Sequence, residues 1–537
     1  MKIAGFWSGH DCSFYISENG KPLIHAEYER YIREKEPSGD SVQFMFDEYS
    51  DYHDIKHIVS CYPKSKLTNY SDSYNKINEI VKKNNGTINY IGHHQAHAAN
   101  AFYSSNFEKS LIITLDGGGV EQNNVVTACT AWWGNENKIQ HIKTLPIDIF
   151  NIGGVWTRCT RYIFNLQSGW PRGHQAGTVM AMAALGDPER YENVFYDMLT
   201  RDLMPASFKP RNQPRGPNVG TDPNHPYLHK WRTLADYGEK FRYDLAAGLQ
   251  SATEKHIKNT LASILSKHPF EYLCLSGGVS LNSVAVGKIK TWFPFLKDVY
   301  VTPTPHDGGL PIGAAQYLWH HVLENPRIKW EDNFTPYLGV TYNNVEETLK
   351  KYSEITFKKA EDDEVIDHLH DSKIVSVFGG GSESGRRALG NRSILADPRP
   401  KSMKALINDK VKHRQWFRPF APSILREEVK NWFVEDKNSP YMSFVIKFKE
   451  EAKEKVPAVY HFDDTARLQT VTENDNKWYY NFIKKWHKKS GVPILLNTSF
   501  NDREPICETP AHAVDCFLRT NIDYLYFYDE NILVEKK

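Results

Sequence analysis

Gly92-His93-His94-Gln95-Ala96-His97-Ala98-Ala99 and Leu111-Ile112-Ile113-Thr114-Leu115-Asp116-Gly117-Gly118-Gly119 are the two stretches around which the chain is organised. Alanine favours helix, so the first stretch predicts a helix with His93 and His97 on one face. The second predicts an apolar strand that delivers Asp116 to a glycine turn. Two imidazoles and one carboxylate are common ligands of a transition metal, so the two stretches predict a metal site.

The histidine spacing does not prove this site. Composition alone gives about one pair of histidines four residues apart, and the chain has two others, His53/His57 and His225/His229. Ordinary hydrogen-bonded histidines therefore remain an alternative. The feature that favours metal binding at His93 and His97 is the strand and glycine turn that follow them.

Length and composition limit the class of protein. A chain of 537 residues, 40% of them apolar, implies two or more domains with sizeable cores. The net charge of +1 gives no general attraction to nucleic acid or to an anionic membrane. The seven cysteines are scattered without a CxxC pair, which indicates a reducing compartment and neither a disulfide framework nor structural zinc.

The sequence predicts a cytoplasmic protein with no membrane partner. No run approaches 18 apolar residues, the length that a membrane-spanning helix needs. Residues 1–10 have neither a long apolar core nor a small-residue cleavage site, so we do not expect a secretory signal.

The first thirty residues have a recognisable order of elements. Residues 2–7 predict an apolar strand, residues 9–13 a polar turn, and Asn19-Gly20 a hairpin between two further strands. This order is how the actin-like ATPase fold begins. Residues 325–345 have two prolines and no clear period, so we place the domain boundary near residue 345.

Two later strands are predicted to end at glycine turns. Residues 272–276 precede Gly277-Gly278 and a helix that starts near Asn282, and such a junction can offer free backbone N–H groups to a phosphate. Glycine pairs also end strands for steric reasons alone. The strand at 299–305 ends near Asp307, which supplies a second carboxylate on a glycine turn.

The C-terminal third concentrates arginine and lysine beside glycine, proline and aromatic residues. The stretches concerned are 379–399, 410–422 and 493–501. Guanidinium groups bind phosphate oxygens in pairs, and the neighbouring residues suit a rigid, enclosed pocket. We therefore favour an anion pocket over a solvated basic surface.

With these features the chain resembles the O-carbamoyltransferases that modify antibiotics and nodulation factors (the NodU/CmcH family). The likeness runs from residue 1 to about 535 and rests on residues 9–13, 93–116, 387–399 and 497–501. It implies an α/β protein with an actin-like ATPase (ASKHA) domain over 1–345, similar to tRNA threonylcarbamoyl-transfer enzymes. It also implies a C-terminal α/β domain over 346–537, similar to threonylcarbamoyl-adenylate synthase (YrdC-like).

The resemblance also implies an ATP-dependent O-carbamoyltransferase. The C-terminal domain would convert carbamoyl phosphate and ATP to carbamoyl adenylate and pyrophosphate. The N-terminal domain would transfer the carbamoyl group to a hydroxyl of a small molecule beside a divalent metal. Fe²⁺ is the expected metal, with Mn²⁺ or Zn²⁺ as alternatives, and Mg²⁺ accompanies ATP. No nucleic acid is obligatory, and the oligomeric state stays open.

Matching motif to motif, the resemblance assigns roles to individual residues. The metal ligands would be His93, His97, Asp116 and Asp307, and the catalytic residues beside them His10 and Asp11. The nucleotide of the N-terminal domain would meet Gly117, Gly277, Gly278 and Asn282. Carbamoyl phosphate and ATP in the C-terminal domain would meet Arg387, Lys412, Arg418, Arg467, Asn497 and Ser499.

Three positions depart from the family pattern. Arg386 replaces a proline, Gln415 a glutamate and Glu36 a histidine, which leaves the electrostatics of both sites open. Two other functions remain to be tested. A threonylcarbamoyl-type transferase would act on tRNA, and a ligand-binding protein on the same fold would have no activity.

A basic, proline-rich stretch at 201–232 is the candidate acceptor loop. It has a net charge of +4, and its members Arg211, Arg215, Tyr227 and Trp231 could hold a charged ring compound. The loop predicts an anionic acceptor, such as a hydroxymethyl pyrimidine nucleotide, and would repel a polycationic aminoglycoside. A merely solvated loop is the alternative.

Overall fold

The computed structural model describes residues 1–145, 147, 150–166, 175–200, 238–328 and 335–537. The chain folds as two compact units. The first unit consists of Met1–Leu23 and Glu36–Lys329, and the second of Ile24–Lys35 and Trp330–Lys537. The proposed boundary near residue 345 thus falls inside the second unit, which also includes a segment from near the start of the sequence. Within the described residues, no helix is both long and apolar enough to cross a bilayer.

Two five-stranded sheets in residues 1–328 repeat one strand order. Their strands are β1 Lys2–Trp7, β2 Ser13–Glu18, β3 Lys21–Glu27, β4 Ile55–Ser60, β5 Thr87–Tyr90, β6 Lys109–Val120, β7 Val126–Asn135, β8 Lys138–Leu145, β9 Tyr272–Ser276 and β10 Asp298–Val301. The orders are β3-β2-β1-β4-β5 and β8-β7-β6-β9-β10. In each sheet the central strand is antiparallel to the second strand and parallel to the fourth, and the fourth is parallel to the fifth. This duplication confirms the predicted actin-like fold.

The predicted hairpin turn at Asn19-Gly20 is present in the structure. Asn19 and Gly20 have φ values of 51° and 77°, as the two-residue turn between β2 and β3 requires. The helices of the same region are α1 Tyr28–Ile32, α2 Ser41–Glu48, α3 Ser71–Lys83, α4 His93–Tyr103, α5 Ile152–Arg158, α6 Ala176–Ala183, α7 Glu192–Thr200, α8 Glu239–Leu265, α9 Ser283–Gly287, α10 Ile289–Trp292 and α11 Leu310–Gln316. The helix predicted from the alanine-rich stretch that contains His93 and His97 corresponds to α4.

Helix α4 packs unusually close to helix α11. A Cβ on Gly313 of α11 would lie 1.9 Å from the backbone oxygen of Ala96, so the two backbones touch there. On its other side α4 buries Ala98, Ala99 and Phe102 in one cluster with Ile112 of β6. The small residues of α4 and α11 therefore bring the turn before α11 next to the histidines at the start of α4.

The second unit is built on a nine-stranded mixed sheet. Its strands are β11 Ile355–Lys359, β12 Val375–Phe378, β13 Arg392–Ala396, β14 Ala421–Leu425, β15 Phe444–Lys447, β16 Thr465–Val471, β17 Ile494–Ser499, β18 Tyr524–Phe527 and β19 Ile532–Lys536. Their order is β11-β19-β18-β12-β13-β17-β14-β16-β15. The helices after residue 335 are α12 Val345–Leu349, α13 Asp362–His370, α14 Met403–Lys410, α15 Val429–Trp432, α16 Glu450–Lys453, α17 Lys477–Ser490 and α18 Pro510–Arg519. The α/β class is confirmed, and the likeness of this unit to threonylcarbamoyl-adenylate synthase stays a prediction.

Candidate metal centre and arginine pocket

Four predicted metal ligands come together in the first unit. His93 is the first residue of α4, His97 lies one turn later, Asp116 lies on β6, and Asp307 occupies the turn before α11. One potential ligand atom from each of them lies within 4.8 Å of the others. All four are buried, with exposed fractions of 9% or less. Residues that are distant in sequence thus form one compact donor set.

The ligand atoms of this cluster lie at ordinary hydrogen-bond and ion-pair distances from one another. His93 Nε2 lies 3.1 Å from Asp116 Oδ2 and 3.5 Å from Asp307 Oδ1. His97 Nε2 lies 3.8 Å and 3.4 Å from the same two oxygens. Two imidazole nitrogens and two carboxylates on a common centre match the ligand preferences of Fe²⁺, Mn²⁺ and Zn²⁺.

The hydrogen bonds of Ser276 fix the tautomer of His97. The Ser276 hydroxyl donates to the Pro305 oxygen at 3.2 Å, so it accepts from His97 Nδ1, which lies 3.2 Å away. His97 Nε2 is then left with its lone pair toward the carboxylates, and it is buried without a hydrogen-bond partner. Either a proton or a metal ion can lie between this nitrogen and the two carboxylates, and the chemistry of the donor set fits a divalent metal.

The pKa values of the four proposed ligands are shifted by their close approach. Burial opposes charge on His93, but Asp307 and Asp116 outweigh it and raise its pKa. Burial likewise opposes charge on the two aspartates, yet the facing histidines lower the pKa of Asp116 and of Asp307. By contrast, His94 bonds to Thr114 and Thr127 through both ring nitrogens, and burial lowers its pKa to about 3. His94 is thus a structural, neutral histidine.

The predicted catalytic pair lies beside the cluster. His10 is half exposed at 48%, and its Nε2 lies 3.4 Å from Asp307 Oδ2. Loss of hydration opposes a charge on His10, but Asp307 and Asp11 outweigh it and raise its pKa. Asp11 is buried, and its carboxylate lies 3.9 Å from Nδ1 of His306. His306 is not among the predicted site residues, although it directly precedes the predicted ligand Asp307.

The glycine turns differ from the phosphate-binding arrangement that we expected. The Gly277 amide donates to the Pro305 oxygen at 2.7 Å, and the Gly278 amide donates to Asp116 Oδ1 at 3.2 Å. These amides are therefore already bonded in this structure, and Gly278 helps to orient Asp116. Asn282 caps α9 through the Ala285 amide, and it also bonds to Gln250. A nucleotide contact of Gly117, Gly277, Gly278 or Asn282 remains only a prediction.

Several arginines converge in the second unit. Burial and the charges of Arg467, Arg386 and Arg418 hold the pKa of Arg387 well below its usual range. Burial also lowers the pKa of Arg418 and of Arg467 to about 10. Arg414, which the sequence argument left out of the site, joins the group, since burial and then Arg418 and Arg467 lower its pKa. We call these five residues the arginine pocket.

Arg387 is the member of the arginine pocket best suited to bind an anionic ligand. It is half-buried and makes no hydrogen bond or ion pair with any residue that the structure describes. A half-buried guanidinium among other cations is unfavourable unless an anion neutralises it. Phosphate oxygens suit this role because they accept paired hydrogen bonds from guanidinium groups.

The other predicted pocket residues are engaged with the protein itself. Lys412 Nζ donates to the backbone oxygens of Ser499, at 2.9 Å, and Asn501, at 2.6 Å. Burial and Arg414 lower the pKa of this lysine to about 7. The Asn497 amide group donates to Gln469 and Ala388, and the Ser499 hydroxyl donates to Asn501. Direct substrate contact by Lys412, Asn497 and Ser499 therefore remains a prediction.

The candidate acceptor loop lies outside the described residues. Its four named members also lie outside them, within residues 201–237; they are Arg211, Arg215, Tyr227 and Trp231.

Comparison with known proteins gives two family matches that together span most of the chain. The family model described as carbamoyltransferase N-terminus matches residues 12–316, and that described as carbamoyltransferase C-terminus matches residues 366–536. Nodulation protein NolO of Bradyrhizobium diazoefficiens is 33% identical over 81% of this chain and 77% of its own length. Nodulation protein NolNO of Sinorhizobium fredii is 33% identical over 82% of this chain, which spans 63% of that protein.

Among solved structures, full-length HypF in a phosphate- and nucleotide-bound form aligns with 61% of this chain and 56% of its own. The sequence identity is 13% and the TM-score 0.35. A likeness this slight adds nothing to the strand order and the family matches.

Proposed function

The chain belongs to the carbamoyltransferase family, and we propose that it uses ATP and carbamoyl phosphate to carbamoylate a hydroxyl group of a small molecule. We assign activation of the carbamoyl group to the arginine pocket and its transfer to the centre formed by His93, His97, Asp116 and Asp307. The observation that carries the proposal is Arg387, a half-buried cation among cations without a partner in the described residues.

The first half-reaction makes carbamoyl adenylate. Carbamoyl phosphate and water give carbamate and inorganic phosphate, and a carbamate oxygen then attacks the α-phosphorus of ATP to release pyrophosphate. Negative charge builds on phosphate oxygens in both steps. Arg387, Arg418 and Arg467 lie close enough for their charges to interact, so together they can stabilise that negative charge.

The second half-reaction transfers the carbamoyl group to the acceptor. The acceptor oxygen attacks the carbamoyl carbon, and AMP leaves. A divalent metal held by His93, His97, Asp116 and Asp307 would supply Lewis acidity for this step. Nε2 of His10 faces Asp307, which leaves Nδ1 to accept the proton of the acceptor hydroxyl. Asp307 would stabilise the imidazolium that forms.

The test separates the two half-reactions in the full-length protein. Arg387→Ala should lose pyrophosphate release from ATP and carbamoyl phosphate yet keep its bound metal. His93→Ala should lose the metal and carbamoyl transfer yet still release pyrophosphate. Loss of pyrophosphate release in His93→Ala, or loss of metal in Arg387→Ala, would contradict this division of labour.

For the acceptor we propose an anionic compound, with a hydroxymethyl pyrimidine nucleotide as the best candidate. The support is the net charge of +4 in residues 201–232 together with Tyr227 and Trp231. The nucleotide and an aminoglycoside should be offered to the wild type and to the Arg211→Glu/Arg215→Glu variant. Turnover of the aminoglycoside alone, or indifference to the charge reversal, would reject this choice of acceptor.

A further inference from the structure

The loop at 379–391, between β12 and β13, carries Arg387 into the arginine pocket. Its second half is held from inside, because Oε1 of Glu383 accepts hydrogen bonds from the amides of Leu389, at 2.7 Å, and Asn391, at 2.8 Å. Its first half is bonded to the second through the Gly381 oxygen, which accepts from the Asn391 side chain at 2.8 Å. Around Gly385, the groups that hold the loop come from elsewhere in the second unit.

Gly385, two residues before Arg387, is held through both of its backbone polar groups. Its amide donates to Oε2 of Glu27 at 2.9 Å, and its carbonyl oxygen accepts from Nη2 of Arg30 at 2.5 Å. Gly385 has φ +92°, a backbone conformation that glycine adopts readily. The loop therefore bends at a residue whose two backbone groups are tied to the segment 24–35.

Arg30 is suited to this role because it is buried and remains charged. It is 2% exposed, lies 3.0 Å from Glu27 and 3.8 Å from Glu508, and the carboxylates of the second unit outweigh its burial and raise its pKa. Glu508 in turn accepts from the Ser382 hydroxyl at 2.7 Å. The ion cluster Glu27–Arg30–Glu508 thus binds the loop through hydrogen bonds at positions 382 and 385.

We propose that Arg30, with Glu27, is a positioning residue for Arg387. By fixing both backbone groups of Gly385, the pair sets the direction from which the Arg387 guanidinium meets the anionic substrate. The inference rests on the proposed role of Arg387 in activating carbamoyl phosphate. It assigns part of the activation chemistry to a segment more than 300 residues earlier in the sequence.

The test uses Arg30→Lys in the full-length protein. Lysine keeps the charge but lacks the planar fork, so it cannot hold a carboxylate and the Gly385 oxygen together. A displacement on the order of 1 Å costs up to about 10²-fold in rate. We therefore expect kcat/KM for carbamoyl phosphate, measured by pyrophosphate release, to fall about 10- to 100-fold.

A double-variant comparison distinguishes positioning from general destabilisation. In an Arg387→Lys background, Arg30→Lys should change kcat/KM less than about threefold, because the group that it positions is already impaired. An equal fall in both backgrounds would show that Arg30 does not act through Arg387. If Arg387→Lys leaves kcat/KM at the wild-type value, the pocket assignment itself is wrong, and this inference fails with it.

Arg519→Lys is the matched control. Arg519 also pairs with a carboxylate of the second unit, at 2.6 Å from Glu504, and this ion pair does not involve Gly385. This variant should lower the thermal midpoint and leave kcat/KM for carbamoyl phosphate unchanged. If it lowers kcat/KM as much as Arg30→Lys does, the effect is one of stability, and the positioning role is rejected.

Discussion

Replacing Ser276 with alanine tests whether the donor set of the first unit binds a metal in the tautomer described above. Ser276 accepts from His97 Nδ1 at 3.2 Å, so its hydroxyl keeps the proton off Nε2, the nitrogen that faces the carboxylates. Without it, the His97 ring loses its orienting partner and its preference for this tautomer. The four proposed ligands themselves are unchanged.

The magnitude follows from the kind of contact that is lost. Removing a group that orients a ligating histidine typically weakens metal binding about 10- to 100-fold, or about 1.4–2.7 kcal/mol. Ser276 makes one such contact, so the loss should stay within that range and should not abolish binding. Pyrophosphate release should not change, because the arginine pocket lies in the other unit.

The assay is competition for Mn²⁺ or Zn²⁺ against a chromophoric chelator. Ser280→Ala serves as the control, because its buried hydroxyl donates to the Ser276 backbone oxygen at 3.0 Å and contacts none of the four proposed ligands. Wild-type affinity in Ser276→Ala, or equal weakening in both variants, would refute the argument from the tautomer.

Two further predictions concern the support of α4. Arg327 donates to the backbone oxygens of Phe102, Ser105 and Phe107 at the end of this helix. Arg327→Met should therefore lower the free energy of unfolding by about 3 kcal/mol or more, at about 1–3 kcal/mol for each buried carbonyl left without a donor; an unchanged denaturation midpoint would contradict this. Burial and Arg327 lower the pKa of His320 from 6.5 to about 4, so the unfolded chain takes up this proton first as the pH falls. The free energy of unfolding should therefore fall between pH 6.5 and pH 4, and His320→Gln should reduce this fall by up to about 1.4 kcal/mol per pH unit. Equal pH slopes of the unfolding midpoint in the wild type and in His320→Gln would reject this prediction.

Local signals in the sequence predicted the first unit well. The alanine-rich start of α4, the strand before Asp116 and the Asn19-Gly20 turn each follow from short-range propensity. Asp307 lies near the histidines of α4 because α4 packs closely against α11. Residue spacing alone does not predict this packing. It was the resemblance to the family that brought Asp307 into the predicted set.

The expectations about individual site residues that changed concern their hydrogen-bond partners. A glycine pair after a strand suggests free amides, but those of Gly277 and Gly278 are already bonded. A lysine among arginines suggests a phosphate ligand, but Lys412 donates to backbone oxygens of its own unit. Every residue has a backbone carbonyl oxygen, whatever its side chain. Residue types therefore do not show whether a lysine or an amide will bond to such an oxygen or to a substrate.

The membership of Ile24–Lys35 in the second unit has a consequence for synthesis on the ribosome. Arg30 and Glu508 are nearly 480 residues apart, which corresponds to roughly 25–95 s of translation at about 5–20 residues per second. Glu27 and Arg30 lack Glu508 throughout that interval, and they lack Gly385 for most of it. The segment is rich in charge, with Glu29, Arg33 and Lys35 beside them, so water can solvate it until Glu508 emerges. The second unit therefore completes its fold only after Glu508 has been made, around a peptide that was made nearly 480 residues earlier.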